Sequence, residues 1–289
     1  MAIVAKRGIA GERRTSPDYI IGKYGKDAKA RPDRGGGRIS SAEPNKRRLK
    51  PAATKPEASV GATFRSRKAV GLSGETFYIS GMDIVNANIA EYLLNVTPDR
   101  DEVLEDMEQY ALARKFPIVG PLVGRLLFML AQTTRAARIL ELGSGFGYSA
   151  YWFAKALPGG GRVICTEGSE ANAEHASVYF RRGKLSRKIT FLVGDALTLI
   201  DKVEGQFDII FNDIDKHQYP RAFRKALPRL RKGGLLISDN VLWSGKVLNQ
   251  KPDRDTAGIL TYNRLIYSSR DLFSTIIPLR DGVSVSVKR

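Results

Sequence analysis

From about Met82 onward the chain places apolar residues at helical spacing. IVNANIAEYLLNV (84–96), RDEVLEDMEQYALARK (100–115) and VGPLVGRLLFMLAQTT (119–134) each predict a helix, the third more buried than the other two. Beyond them, short and nearly continuous apolar runs alternate with helical patterns. ARILELG (137–143), RVICTEG (162–168), ITFLVGD (189–195), FDIIFND (207–213) and GLLISDN (234–240) read as strands. SAYWFAKAL, ANAEHASVYFRRG and YPRAFRKALPRLRKGG read as the helices between them. Strands that are apolar on both sides and alternate with helices imply an α/β fold, a mostly parallel sheet covered on both faces. The closing pair, STIIPLRDG and VSVSVKR, reads as an antiparallel hairpin, and no internal repeat is visible.

Residues 1–81 break this pattern. RPDRGGGR (31–38), EPNKRRLKPAATKP (43–56) and FRSRK (64–68) carry charge, proline and glycine without sustained apolar periodicity. Such a segment buries too little apolar surface to offset its chain entropy, so it is expected to be a disordered basic extension ahead of one domain at 82–289. It holds 18 Lys+Arg and 7 Asp+Glu, giving +11 of the +17 net charge, against 29 and 23 (+6) in the remaining 208 residues. The excess is compatible with a basic arm that touches nucleic acid or acidic lipid. Aromatic residues are not interleaved with the charge as a stacking surface requires, which favours a solvated extension or a start at Met82. Cys165 is the only cysteine, so an intramolecular disulfide is excluded and a reducing, cytoplasmic setting is expected. No apolar run approaches the ~20 residues of a membrane span, and MAIVAKRGIAGERR lacks the apolar stretch of a secretory signal.

The chemistry concentrates where the predicted strands end. FDIIFNDIDKHQYP (207–220) runs from a strand into Asp213, Asp215 and Lys216, which alone admits a solvated turn. GLLISDN ends in Asp239 and Asn240, so a second strand delivers oxygen ligands. Between the first strand and its helix stands ELGSGFGYS, with Gly143, Gly145 and Gly147 where a backbone must approach a ligand closely. The dinucleotide fingerprint needs G-x-G-x-x-G, whereas this loop is G-x-G-x-G behind Glu141, which makes hydride transfer the weaker reading. Glu167 ends the second strand and Asp195, after Gly194, the third, each either a strand-end surface residue or an acceptor, Glu167 for ribose hydroxyls and Asp195 for an adenine amine. Asp215 reads as a helix N-cap, and His175 and His217 as helix-surface residues. Trp243 is either a pocket wall or core packing. All the acids fall on the carboxyl edge of the expected sheet, where open parallel sheets bind their ligands.

ELGSGFGYSAYW, the CTEGSE turn, the GDAL step, FDIIFNDIDKHQYP and LLISDNVLWSGKV resemble the cation-dependent O-methyltransferases, the group of catechol and caffeoyl-CoA O-methyltransferases and their bacterial relatives. The resemblance runs from about Met82 to Arg289, closing on LRDGVSVSVKR. It implies a Rossmann-like methyltransferase sheet of seven strands in the order 3-2-1-4-5-7-6, the last antiparallel. It also implies Asp213, Asp239 and Asn240 as metal ligands and Lys216 as the base beside the acceptor oxygen. By the same resemblance, Glu167 holds the ribose of S-adenosylmethionine and Asp195 with Ala196 the adenine side. Its methionine part is left to Glu141, Gly143, Ser144, Gly145, Gly147, Tyr148 and Ser149, with Asp213 at the edge of that site and Trp243 on the acceptor side. Ile214, between the two acids, and Gly168-Ser169, after the ribose acid, depart from the family pattern without removing a ligand.

Oxygen ligands without clustered Cys or His favour a hard cation, Mg²⁺ first, with Mn²⁺ or Ca²⁺ as substitutes. Three protein ligands, two vicinal hydroxyls and a water complete an octahedron. A phenol with a pKa near 10 is short of its anion by roughly 4 kcal/mol at pH 7, and a divalent cation offsets that deficit. The expected activity is therefore methyl transfer to a catechol-like small molecule; a homodimer and no membrane partner are also expected. Hydroxyuridine in tRNA is the alternative acceptor. A non-catalytic RNA-binding module acting through the basic extension is the competing reading.

Overall fold

The computed structural model describes residues 84–289, so the extension expected at 1–81, and a start at Met82, lie outside the described residues. Three helices come first: α1 (Ala87–Asn95), α2 (Glu102–Arg114) and α3 (Gly120–Thr133). Then strands and helices alternate: β1 (Arg138–Leu142), α4 (Tyr148–Ala156), β2 (Arg162–Glu167), α5 (Glu170–Arg182), β3 (Ile189–Val193) and α6 (Ala196–Lys202). The second half holds β4 (Phe207–Asn212), α7 (Tyr219–Arg229), β5 (Leu230–Ser238), α8 (Arg254–Ser268), β6 (Leu272–Ile277) and β7 (Val283–Lys288). Short 3₁₀ segments cover Lys216–Gln218 and Trp243–Leu248.

The seven strands form one sheet in the order β3-β2-β1-β4-β5-β7-β6, as expected. β1 to β5 pair in parallel, while β7 runs antiparallel to both β5 and β6. Alternation along β1 divides the core. Ile139 faces the layer of α2 to α5, where Leu104, Val123, Leu127 and Phe153 are fully buried. Leu140 and Leu142 face the opposite layer, against Ile200, Tyr219 and Tyr262 from α6, α7 and α8. Aspartate and serine N-caps punctuate the helices: Asp101, Ser169, Asp195 and Asp253 each accept from a backbone N–H three residues on. Among the described residues no helix is long and apolar enough to cross a membrane.

Two boundaries depart from the sequence reading. RKGG belongs to β5, which begins at Leu230, and not to the end of the preceding helix. Pro228 in the last turn of α7 cannot continue the helix, and Leu230 instead pairs with Phe207, with the register shifting before Leu235 pairs with Ile209. α8 has no counterpart in the sequence reading, although its buried residues fall at helical spacing. It buries Ile259, Tyr262 and Ile266.

Candidate active site

The β1–α4 loop is built against the end of β4. Gly143 has φ +80°, and a Cβ there would stand 2.6 Å from the carbonyl oxygen of Asp213, so only glycine lets the two loops touch. Gly145, at φ +51°, donates its N–H to Glu167 at 2.8 Å. The same carboxylate accepts from the Ser169 N–H and the Asn172 amide, both at 3.0 Å, and so ties the loop to the first turn of α5. Gly147 serves packing instead: a Cβ there would lie 2.4 Å from the Phe180 ring. Asp195 caps α6 through Oδ1, which accepts from both the N–H and the hydroxyl of Thr198.

β4 and β5 leave the sheet at the same level, since Asn212 pairs with Ser238. Asp213 and Asp239 follow on neighbouring strands, about 4.8 Å apart at the backbone. Asp239 is almost fully buried, and its Oδ1 has no hydrogen-bond partner. Burial, then the neighbouring Asp213 charge, pushes its carboxyl up to about 7. Burial also raises Asp213, against the opposing pull of Lys216. The Lys216 ammonium lies 2.7 Å from Asp213 Oδ1 and also donates to the Ile214 carbonyl at 3.2 Å. It sits over the rings of Tyr219 (5.2 Å) and Trp243 (5.7 Å). Asn240 adopts the left-handed region at φ +57°, and its amide nitrogen donates to Asp281 at 3.4 Å, which leaves its carbonyl oxygen available as a ligand.

These groups share one cavity of about 580 Å³, a size suited to a small-molecule ligand. Gly143, Ser144, Gly145, Tyr148 and Ser149 line it together with Glu167, Asp195 and Ala196 on one side and Asp213, Lys216, Asp239, Asn240 and Trp243 on the other. Glu141 and Gly147 are not on its wall. Glu141 is fully buried beneath the loop, accepting from the Ser149 hydroxyl with Cys165 Sγ 3.7 Å away, and burial pushes its carboxyl up to about 8. Asp215 stands at the N-cap position of the Lys216–Gln218 turn, yet its side chain makes no capping bond and lines the cavity instead. Neither histidine is a plain surface residue. His217 pairs with Asp255 of α8 at 3.1 Å, and His175 stacks on Tyr110 with centroids 4.1 Å apart.

Several wall residues escaped the sequence reading. Phe116, Ile118 and Val119 come from the α2–α3 loop, Asp255 from α8 and Arg280 from the β6–β7 loop. Arg280 donates to the Ile118 carbonyl, and its charge lowers both Asp213 and Asp239. The left-handed Arg280-Asp-Gly turn between two strands was the available signal, but a hairpin turn explains it equally well.

Among the described residues no group of three His, Cys, Asp or Glu side chains is placed to hold a metal ion. The donor set here is two carboxylates and an amide oxygen. It fits a hard cation in one respect: Asp239 keeps a buried, unpartnered carboxylate oxygen, while Lys216 pairs with Asp213 and not with it.

A family model described as O-methyltransferase matches residues 95–289. Catechol O-methyltransferase of Niastella koreensis is 34% identical over 179 residues, covering 58% of this chain and 81% of that protein. Caffeoyl-CoA O-methyltransferase of Stellaria longipes is 25% identical over 210 residues, covering 67% of this chain and 87% of that protein. Among solved structures, the O-methyltransferase from Bacillus cereus in complex with SAH is similar at 32% identity and a TM-score of 0.65, covering 70% of this chain and 97% of that one. TomG from Streptomyces achromogenes, in complex with SAM, is 28% identical with a TM-score of 0.65, covering 70% of this chain and 96% of that one. With a family match over more than half its length, and SAM- and SAH-bound structures of the same fold among its neighbours, the chain belongs to the O-methyltransferase family and takes S-adenosylmethionine as its methyl donor.

Proposed function

We propose that this O-methyltransferase depends on a divalent cation and methylates one hydroxyl of a catechol-like small molecule. The observation that carries the proposal is the pairing of Asp239, buried with an unpartnered carboxylate oxygen, with Asp213 at the end of the neighbouring strand, in the same cavity as the glycine loop. Asp213, Asp239 and the Asn240 carbonyl oxygen would hold the cation. When bound, it supplies stabilisation of the acceptor oxyanion, worth several kcal/mol.

The remaining work falls to the chain's own side chains. The uncapped first turn of α4 presents backbone N–H groups to the methionine carboxylate of the donor, those of Gly143, Ser144, Gly145 and Gly147 being bonded within the fold, while Glu167 faces its ribose and Asp195 its adenine. Lys216 stands between Asp213 and the Trp243 ring. As an ammonium it stabilises the acceptor oxyanion, and as the free amine it accepts the phenolic proton. The acceptor oxygen then forms its bond to the methyl carbon as the carbon–sulfur bond breaks, and S-adenosylhomocysteine leaves with the electron pair. No covalent bond to the protein is needed. Trp243 and Ile118 wall the acceptor's ring, and the fixed glycine loop keeps the donor methyl in line with it.

The test is a screen with labelled donor and Mg²⁺ in which simple catechols compete against tRNA containing hydroxyuridine. Label on the catechol is expected. Label on the tRNA alone would transfer the assignment to RNA.

A further inference from the structure

A second cavity of about 570 Å³ adjoins the first, and both are lined by Asn240 and Arg280. Its walls are sorted by polarity. Asn240, Ser244, Arg280 and Asp281 cluster where it meets the donor cavity. Farther out it is walled by Ala87, Ala90, Leu93 and Leu94 of α1, Leu122 of α3 and Leu279. Glu91 is the charged residue on that outer wall, and it disfavours an anion there. None of the residues of α1 is buried among the described residues, and Leu94 is 43% exposed although it belongs to the helix's apolar stripe. An apolar ligand filling the cavity would give that stripe a partner and withdraw it from water.

We propose that this cavity is an acceptor subsite, which takes an uncharged apolar substituent of several carbons carried on the ring of the diol. The proposal rests on the catechol reading, because the diol end must lie at Asn240 and Trp243 for the substituent to pass Arg280. It narrows the acceptor class to elongated, lipophilic diols. A phosphate-rich polymer does not fit this wall, since Arg280 is its cation and Glu91 would oppose the rest.

The experiment measures affinities of 4-methyl-, 4-butyl- and 4-hexylcatechol by calorimetry, with the full chain holding S-adenosylhomocysteine and Mg²⁺ so that nothing turns over. Turnover of the same three with S-adenosylmethionine is measured in parallel. Burial of methylenes predicts about two- to fourfold tighter binding for each one, hence at least about thirtyfold from methyl to hexyl. Ala90→Phe, which fills the outer wall, is expected to bring that ratio below about threefold while 4-methylcatechol binding and turnover stay unchanged. Leu94→Phe, at an exposed position, is the second variant should the first fail to fold. Affinity independent of chain length, or a ratio that survives both variants, overturns the proposal. An altered sedimentation mass in the variants, without a chain-length effect, also overturns it and makes the cavity an interface between chains. Catechols methylated without a chain-length preference would leave the proposed activity standing and remove the subsite. Tight, Ala90-sensitive binding of hexylcatechol without methylation of any catechol would do the reverse.

Discussion

Replacing Gly143 by alanine perturbs the junction between the glycine loop and the proposed cation site. The new Cβ would stand 2.6 Å from the Asp213 carbonyl oxygen and 2.9 Å from its carbonyl carbon, both backbone atoms that cannot swing aside. Ordinary contact begins near 3.4 Å, so the loop and the end of β4 must part by roughly 0.8 Å. The φ of +80° adds the left-handed cost of a side chain, about 1 to 2 kcal/mol, and the overpacking about 1 to 3 kcal/mol more. Together they predict a loss of about 2 to 5 kcal/mol, and at a few degrees per kcal/mol a Tm lower by about 5 to 15 °C. Below that Tm, a displacement approaching 1 Å between donor and acceptor sides is expected to lower kcat/KM by about a hundredfold. A thermal melt and methyl-transfer kinetics with labelled donor read the two effects, and calorimetric titration with S-adenosylhomocysteine reads donor affinity. Gly160→Ala, whose Cβ would meet nothing within 4 Å, serves as the control and should be silent. A Gly143→Ala protein with native Tm and native donor affinity would refute the close-approach argument.

Asp239→Ala should abolish at least about 99% of methyl transfer while donor affinity changes by less than about threefold, because the donor loop makes its contacts elsewhere; equal loss of donor affinity in a titration would show the site is wrongly divided. Glu141 has a folded pKa raised to about 8 from an ordinary 4.5, so the native state retains a proton that the unfolded chain releases, and this term favours folding less and less as pH rises from about 4.5 to about 8. Glu141→Gln should therefore gain stability relative to the parent by an amount on the order of 4 kcal/mol larger at pH 8 than at pH 5, read from urea midpoints; a pH-independent difference would contradict the buried-acid assignment. Deleting residues 1–81 should leave turnover of a small catechol within about twofold, since the wall of the donor and acceptor cavity spans Phe116 to Arg280. If the acceptor is tRNA, the same deletion should weaken binding and flatten its salt dependence, because fewer cations then meet phosphate.

The sheet was legible because its chemistry is local. Continuous apolar runs such as ARILEL and FDIIF satisfy a two-sided parallel sheet and little else, and the acids ending them mark its carboxyl edge. The strand order itself came with the family resemblance and agrees with the observed pairing. What remained hidden depends on contacts distant in sequence. Nothing in KFPIVG shows that Phe116 will lie beside Gly145, or in LRDG that Arg280 will reach the Ile118 carbonyl. Glu141 sits in the motif yet turns inward, because β-strand alternation points it to the Ile139 side, under Ser149 of α4. The start of β5 was missed because RKGG carries no apolar alternation, and its pairing with β4 is a matter of the partner strand.

Chelation tests the cation claim most directly. Methyl transfer from labelled S-adenosylmethionine to a small catechol is followed with the full chain before EDTA, after it, and after Mg²⁺ is restored, with donor affinity titrated at each stage. The account predicts that transfer falls by at least about a hundredfold and returns with Mg²⁺, while donor affinity stays within about threefold throughout. Undiminished transfer in EDTA would contradict it, and would leave Asp213 and Asp239 as an acidic pair without the role assigned to them here.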